Sequence, residues 1–163
     1  MSDSGSEVAP AVVDDPTDLR IVAEVSRDGH ATLAHLSREV GLSVSAVQTR
    51  LRRLEARGVI RGYRAVLDPE AVGKRLAAFI EITPLDPAQP DDAPERLAHL
   101  EEIEACHSIA GAASYMLFVR VASPRALETL IREIRQAASV STRTTVVLQT
   151  FFENRPLTPS LPR

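Results

Sequence analysis

"SVSAVQTRLRRLEARG", residues 43–58, is the stretch that decides the fold. Ser43 stands where a helix N-cap is favoured, and Gly58 stands where a helix commonly ends. Between them the apolar residues recur at helical spacing and form one stripe. The stripe consists of Val44, Val47, Leu51 and Leu54. The pattern predicts a helix that packs one face into a core and turns a basic face to solvent.

The basic face is unexpected in an acidic chain. Residues 43–64 contain six arginines and one acid, Glu55, which gives a local charge of +5. Since the whole chain carries −3, the remaining residues sum to −8. A merely solvated helix usually mixes charge signs, so this segregation favours a polyanionic partner over a solvated face.

Two further helices are predicted before this one. The first starts near Pro16 and ends before Gly29, and the second runs from an N-cap at Thr32 to Gly41. Three helices with a glycine turn between the second and third are typical of a helix-turn-helix. The third would then contact double-stranded DNA, with small polar residues near its start approaching base edges and arginines binding guanine or phosphate. The predicted DNA-contacting residues are Ser43, Ser45, Gln48, Thr49, Arg50, Arg52, Arg53, Arg57, Arg61 and Arg64.

Apart from the cap residue Ser43, these residues fall into three groups on helical geometry. Ser45, Thr49, Arg52 and Arg53 lie broadly opposite the apolar stripe, and Gln48 and Arg50 flank it. The last three arginines lie at or beyond the helix end, where phosphate contact is favoured over base contact.

The remaining two-thirds of the chain predicts a β-α-β-β-α-β order. Strands are expected at 76–83, as two strands within 106–121 that turn near Gly111, and at 142–152. A capping box at Asp92 and Glu95 precedes one helix, and Ser123 followed by Pro124 starts the other. A short β segment at 59–69 would form a wing or hinge strand. The prediction is an α+β chain, with a winged helix-turn-helix followed by a ferredoxin-like βαββαβ domain.

The segments divide the chain into five predicted parts. They are a flexible tail at 1–14, the helix-turn-helix domain at 15–67, a linker at 68–75, the ferredoxin-like domain at 76–154 and a loose tail at 155–163.

The strands are apolar on both faces, whereas two helices can cover only one face of the sheet. A homodimer formed by facing sheets would cover the other face, and the alternative is that the tail or the linker does so.

Composition narrows the class of protein. Cys106 is the only cysteine, so no intrachain disulfide can form and a reducing compartment is expected. The start of the chain lacks the basic and apolar segments of a signal peptide, and no apolar run is long enough to cross a membrane. The sequence therefore predicts a cytoplasmic protein. The four histidines lack convincing zinc spacing, and no metal, cofactor or catalytic site is expected.

The segment "ATLAHLSREVGLSVSAVQTRLRRLEARGVIRGYRAVLDPEAVG", residues 31–73, resembles the DNA-binding half of the Lrp/AsnC, or feast/famine, transcriptional regulators. The resemblance extends over roughly residues 14–154. It implies dimers joined through their sheets, frequently assembled into octamers, that bind promoter DNA and respond to a small effector, usually an amino acid. Two alternatives stay open: an enzyme on the same architecture, like the haem-biosynthesis decarboxylases, or a stand-alone amino-acid sensor.

The resemblance also implies an effector region at the turn between the second and third strands, commonly with a Gly-x-x-Asp pattern. Here the turn reads "GAASY", with Ser114 where the acid is expected. The loss of that acid removes the natural partner of an ammonium group, so a different effector, or a plain turn, is an alternative. The implied effector-binding residues are Gly111, Ala113, Ser114 and Tyr115, with Thr142 and Thr144 from a neighbouring subunit.

Overall fold

The computed structural model describes residues 12–157 and Pro159, and these residues form two compact units. One unit comprises residues 12–66 with the described residues from Asn154 onward, and the other comprises residues 67–153. The predicted N-terminal tail therefore lies almost entirely outside the described residues. Leu157, in the predicted C-terminal tail, accepts a hydrogen bond of 3.0 Å from the Ser26 hydroxyl.

The first unit contains the three predicted helices. They are α1 (Pro16–Arg27), α2 (Leu33–Val40) and α3 (Val44–Ala56). Each begins with a side-chain cap, from Asp15, Thr32 and Ser43 respectively. Their apolar faces meet in a core with four side chains that have no exposed surface: Ile21, Leu36, Val47 and Leu54.

The turn between α2 and α3 depends on Gly41. Its φ of 70° is left-handed, a conformation that costs other residues free energy because their Cβ approaches the carbonyl oxygen. Its N–H donates to the Ser37 carbonyl and ends α2. Two residues later Ser43 caps α3, so the predicted helix-turn-helix is confirmed.

The predicted strand at 59–69 is wrong, since no residue between Gly58 and Arg75 forms a strand in the described chain. Instead, the N–H groups of Val59 and Ile60 donate to the Leu54 carbonyl, at 3.0 and 3.3 Å. Both side chains pack against the core of the first unit. These β-branched residues therefore close the end of α3, and their strand-like composition reflects burial and not a sheet.

The second unit is the predicted ferredoxin-like arrangement. Its order is β1 (Leu76–Pro84), α4 (Ala93–Leu97), β2 (Ile103–Ser108), β3 (Tyr115–Val121), α5 (Pro124–Ala138) and β4 (Val140–Val146). The strands form one antiparallel sheet in the order β2-β3-β1-β4. The covered face of the sheet forms the second core, which includes Ile80, Ile82, Leu117, Val119 and Ile134 from α5.

Three elements differ from the predictions, β2, α4 and β4. Strand β2 starts at Ile103, three residues before the predicted position 106. Helix α4 has only five residues, and the Asp92 side chain makes no capping hydrogen bond. Strand β4 starts earlier than expected and stops at Val146, six residues before the predicted end. Val146 pairs with Ala78, and the Val147 N–H still donates to the Ala77 carbonyl at 2.9 Å. Because β1 begins at Leu76, the register leaves residues 149–152 without a β1 residue to pair with.

The other face of the sheet, here called the open face, is not covered by the helices. Phe79 and Phe118 lie side by side on it with ring centroids 5.0 Å apart, and Phe79 is 42% exposed. Ion pairs flank this aromatic pair, one between Arg143 and Glu81 at 2.5 Å. The open face is therefore apolar at its centre and charged at its margin, and not apolar throughout as the sequence suggested.

Candidate nucleic-acid interface and effector region

Helix α3 turns its predicted polar face to solvent. Val47 and Leu54 are fully buried and Leu51 is half-buried, which fixes the rotation of the helix about its axis. Val44 is an exception, because 45% of it is exposed although it was predicted in the apolar stripe. The residues predicted opposite the stripe are all exposed: Ser45, Thr49, Arg52 and Arg53. The cap residue Ser43 is exposed as well. The two residues predicted to flank the stripe, Gln48 and Arg50, are half-buried.

Two of the predicted DNA-contacting arginines bind a carboxylate inside the unit. Arg50 Nη1 lies 2.6 Å from Asp18 Oδ1, and Arg53 Nη2 lies 2.6 Å from Asp18 Oδ2. Asp18 is only 1% exposed and lies in the first turn of α1. The expectation that Arg53 would project freely from the helix is therefore corrected: one end of its guanidinium group is held by the buried acid.

A second acid reinforces the hold on Arg50. Asp15 caps α1 by accepting from the backbone N–H groups of Thr17 and Asp18, at 2.8 and 3.0 Å. Its Oδ1 also lies 3.2 Å from Arg50 Nη1. The N–H of Asp18, with help from Arg50, lowers the pKa of the Asp15 carboxyl. The two carboxylates, Asp18 first, raise the pKa of Arg50. Both groups therefore stay charged.

The other four arginines of the segment remain available for an outside anion. Arg52 is exposed and has no ion pair among the described residues. Arg57 is exposed, and within residues 12–157 it donates to the Val12 carbonyl, at 3.2 Å, and forms no ion pair. Arg61 and Arg64 are exposed in the segment that follows α3. These four side chains form a basic surface that continues from α3 into that segment.

The lone acid of the basic segment is occupied by a tyrosine. Tyr63 donates its hydroxyl to Glu55 Oε1 at 2.9 Å. Burial and this hydrogen bond to an anion raise the pKa of Tyr63 to about 12. The contact ties the segment after α3 back onto the helix, and the sequence analysis did not foresee it.

The predicted effector residues 111–115 form the turn between β2 and β3 and the start of β3. The backbone of Ser114 makes two hydrogen bonds of 3.1 Å. Its N–H donates to the Ile82 carbonyl, and its carbonyl accepts from the Ile109 N–H. Ala113 is buried, whereas Gly111 is exposed. Tyr115 is buried and donates its hydroxyl to Asp91, and this bond, with burial, raises the pKa of Tyr115 to about 12.

The two predicted threonines lie on the neighbouring edge of the same sheet. Ile82 pairs with Tyr115 on one side and with Thr142 on the other, so these three residues share one row. Thr144 lies two residues further along, opposite Ile80. Arg135 Nε donates to the Thr142 hydroxyl at 2.8 Å. Asp91 and Arg135 are thus charged neighbours of the predicted residues that no motif in the sequence identified.

In the part of the chain that the structure describes, no group of three or more His, Cys, Asp or Glu side chains could hold a metal ion. None of the described helices is both long and apolar enough to span a bilayer.

Comparisons with known proteins cover nearly the whole described chain. A family model described as winged helix-turn-helix DNA-binding matches residues 14–61, and one described as Lrp/AsnC ligand binding domain matches residues 77–157. The HTH-type transcriptional regulator LrpA of Mycobacterium tuberculosis is 59% identical over 141 residues, covering 86% of this chain and 94% of that protein. The proline dehydrogenase transcriptional activator of Rhizobium radiobacter is 39% identical over 143 residues, covering 85% and 92%.

A solved structure is also similar. It is the feast or famine regulatory protein from M. tuberculosis complexed with L-methionine, with a TM-score of 0.87 and 58% identity. The match covers 89% of this chain and 99% of that one.

A basic helix-turn-helix unit and a ferredoxin-like unit on one chain define a DNA-binding transcriptional regulator with a ligand-binding domain. The relatives carry the names of regulators and not of enzymes, which decides against the decarboxylase-like alternative. The chain belongs to the Lrp/AsnC family, and the resemblance stated from its sequence is confirmed.

The two raised pKa values give a direct test of the site geometry. The chain has two tyrosines and no tryptophan, so tyrosinate absorbance reports Tyr63 and Tyr115 alone. We expect no ionisation near pH 10, the ordinary value, and a single transition near 12. Because both pKa values are raised on folding, the two tyrosines contribute stability that is present below about pH 10 and is lost as the pH rises towards 12.

The variant Tyr63→Phe separates the two groups. It should halve the amplitude of the transition and leave its midpoint unchanged, since Tyr115 keeps its bond to Asp91. A step near pH 10 in the folded wild-type protein would contradict the hydrogen bonds described above.

Proposed function

We propose that this chain regulates transcription as a homo-oligomer that binds double-stranded promoter DNA through α3 and the segment after it. The observation that carries the proposal is the exposed basic surface of Arg52, Arg57, Arg61 and Arg64. Four arginines directed at solvent, on a chain with a net charge of −3, supply a local attraction for a polyanion. A cytoplasmic location stays a prediction.

The proposed contacts divide between base edges and phosphates. Ser43, Ser45, Gln48 and Thr49 lie in the first two turns of α3, where short polar side chains can approach base edges in the major groove. The backbone N–H groups in the first turn of α3 that have no partner within the helix can donate hydrogen bonds to a DNA phosphate. The four arginines of the basic surface lie further along the chain, which suits them to hold the DNA backbone.

We propose an amino acid as the effector, bound near residues 111–115. The similar M. tuberculosis protein is complexed with L-methionine, which supports this ligand class. Ser114 supplies no carboxylate for the ligand's ammonium group, but Asp91 lies against Tyr115 in the same region. Its Oδ1 accepts from the Tyr115 hydroxyl, and its second oxygen is left to pair with an ammonium group. Asp91 would then replace the missing acid.

We propose a dimer that joins the open faces of two sheets, with an octamer as a further prediction. The exposed aromatic pair Phe79 and Phe118 supports this, because an apolar centre with a charged margin is the composition of a typical interface. Leu148 and Phe151, which are 97% and 82% exposed after β4, would add to the buried area.

The DNA-binding part is tested by Arg52→Ala. Titration of the protein's own upstream DNA at two salt concentrations should show affinity roughly tenfold weaker and a salt slope lower by about 1 for each bound protomer. The matched control is Arg132→Ala, an exposed arginine on α5 in the other unit, and it should bind like the wild type. Equal affinity of the wild type and Arg52→Ala would count against the proposed interface.

The effector part is tested by calorimetric titration with a panel of L-amino acids that includes methionine. We expect at least one to bind and to change the affinity for DNA. Asp91→Asn should weaken that binding about tenfold, because it removes the anionic partner of the ammonium group while keeping a polar group beside Tyr115. Unchanged affinity would exclude Asp91, and no binding by any amino acid would exclude the ligand class.

The assembly is tested by sedimentation of Phe79→Glu. A charge at the centre of the open face should shift the protein towards the monomer, because a buried unpaired carboxylate is costly. Leu85→Glu is the matched control, since Leu85 is 68% exposed but lies in the loop after β1. If both variants sediment like the wild type, the sheets do not form the interface.

A further inference from the structure

The Asp18 cluster gives its two arginines different surroundings. Arg50 has both Asp18 and Asp15 as partners, and its side chain is 28% exposed. Arg53 has Asp18 alone, and 52% of its side chain is exposed. Arg50 is therefore largely enclosed within the unit, whereas Arg53 reaches solvent on the face of α3 that carries Arg52 and Thr49.

The guanidinium group of Arg53 is only partly used. It carries five N–H donors in a rigid plane, and the described contact with Asp18 engages Nη2 alone. The other donors have no partner among the described residues, and 52% of the side chain is exposed. A planar fork of this kind can bind one anion at one edge and a second anion at another, which the single ammonium of a lysine cannot do in the same geometry.

We propose that Asp18 is a positioning residue for DNA binding: it holds Arg53 from inside the unit so that the free donors of the guanidinium group face a DNA phosphate. The inference rests on the proposed use of α3 as the DNA-contacting helix. Asp18 itself, at 1% exposure, cannot touch DNA and acts only through Arg53.

The contact with Asp18 should raise the affinity for DNA because it orders the Arg53 side chain before DNA binds. A free arginine loses rotamer freedom when it binds a phosphate, and a side chain already held in place loses less. The cost is that the negative charge of Asp18 offsets part of the long-range attraction for DNA. Salt screens that long-range part over about 8 Å at physiological ionic strength, but it hardly affects a direct contact. The positioning effect should therefore dominate at physiological salt.

The test compares Asp18→Asn with Asp15→Asn. Both substitutions remove one negative charge beside Arg50 at the start of α1, and asparagine caps a helix as well as aspartate does. Only Asp18 contacts Arg53. With circular dichroism confirming that both variants are folded, Asp18→Asn should bind the upstream DNA roughly three- to tenfold more weakly than Asp15→Asn at physiological salt. Equal affinities of the two would overturn the proposal.

A second variant keeps the test decisive if Asp18→Asn does not fold. Arg53→Lys preserves the charge and can satisfy Asp18, but it cannot also bind a phosphate in the same geometry. It should lose about as much DNA affinity as Arg53→Ala, whereas Arg52→Lys, with no described ion pair to maintain, should lose much less. Wild-type affinity in Arg53→Lys would also overturn the proposal.

The same measurements separate this inference from the proposed function. If the wild type does not bind DNA, or if Arg52→Ala binds as tightly as the wild type, the proposed interface itself is wrong. If Arg52→Ala is weakened while Arg53→Lys binds like the wild type, only the positioning role of Asp18 is wrong.

Discussion

The buried carboxylate of Asp18 is the contact on which the arrangement of the first unit depends. It joins the first turn of α1 to the middle of α3, with both oxygens occupied by arginines at 2.6 Å. An isolated carboxylate at 1% exposure would be strongly destabilising, and removal of one partner of a buried ion pair typically costs about 3–5 kcal/mol. These two ion pairs require a particular orientation of the carboxylate and the guanidinium groups. Apolar contacts, such as those of the core formed by Ile21, Leu36, Val47 and Leu54, require no such orientation. Together with the buried stripe of Val47 and Leu54, the Asp18 contact holds α3 in the rotation that leaves its polar face for DNA.

In the second unit, the length of strand β4 depends on its pairing with β1. Strand β4 cannot reach the predicted end at residue 152, because β1 begins at Leu76 and the register leaves no partner after residue 148. The consequence is a run of exposed apolar side chains directly after the sheet, including Leu148 and Phe151. Together with Phe79 of the aromatic pair on the open face, they are large apolar side chains that the isolated chain leaves exposed. The residues that follow β4 thus add to the surface that a second copy of the chain is proposed to cover.

Local patterns were enough to predict most of the elements from the sequence. The spacing of Val47, Leu51 and Leu54, the cap at Ser43 and the glycine at position 41 are short-range signals, and the structure agrees with each. The contact of Asp18 with Arg53 joins residues 35 positions apart, and the sequence predicted DNA contact for Arg53 and no role for Asp18. An acid in the first turn of a helix already has a local explanation in the helix dipole, so nothing in the sequence pointed to α3.

The same limit explains the residues that were missed in the effector region. Asp91 lies in a proline- and aspartate-rich loop whose composition indicates only a turn, and Arg135 lies on the polar side of an amphipathic helix. Each gains its place beside Tyr115 or Thr142 only when the sheet forms. The strand predicted at 59–69 failed for a related reason. β-branched residues suit any half-buried surface, and here the surface is the end of α3 and not a sheet.

These contacts change how the charge of the basic segment should be counted. Residues 43–64 alone carry +5, but Asp15 and Asp18 from α1 lie against two of the six arginines, so the local charge that DNA meets is closer to +3. The acids do not cancel the arginines equally, because Arg50 is enclosed while Arg53 keeps half of its surface in solvent. A count along the sequence treats all six as equivalent point charges. The structure instead divides them into one that stabilises the unit, one held in place at its surface and four that supply general attraction. None of these phosphate contacts carries sequence information, so the proposed base-edge contacts of Ser43, Ser45, Gln48 and Thr49 are where this segment can distinguish one duplex from another.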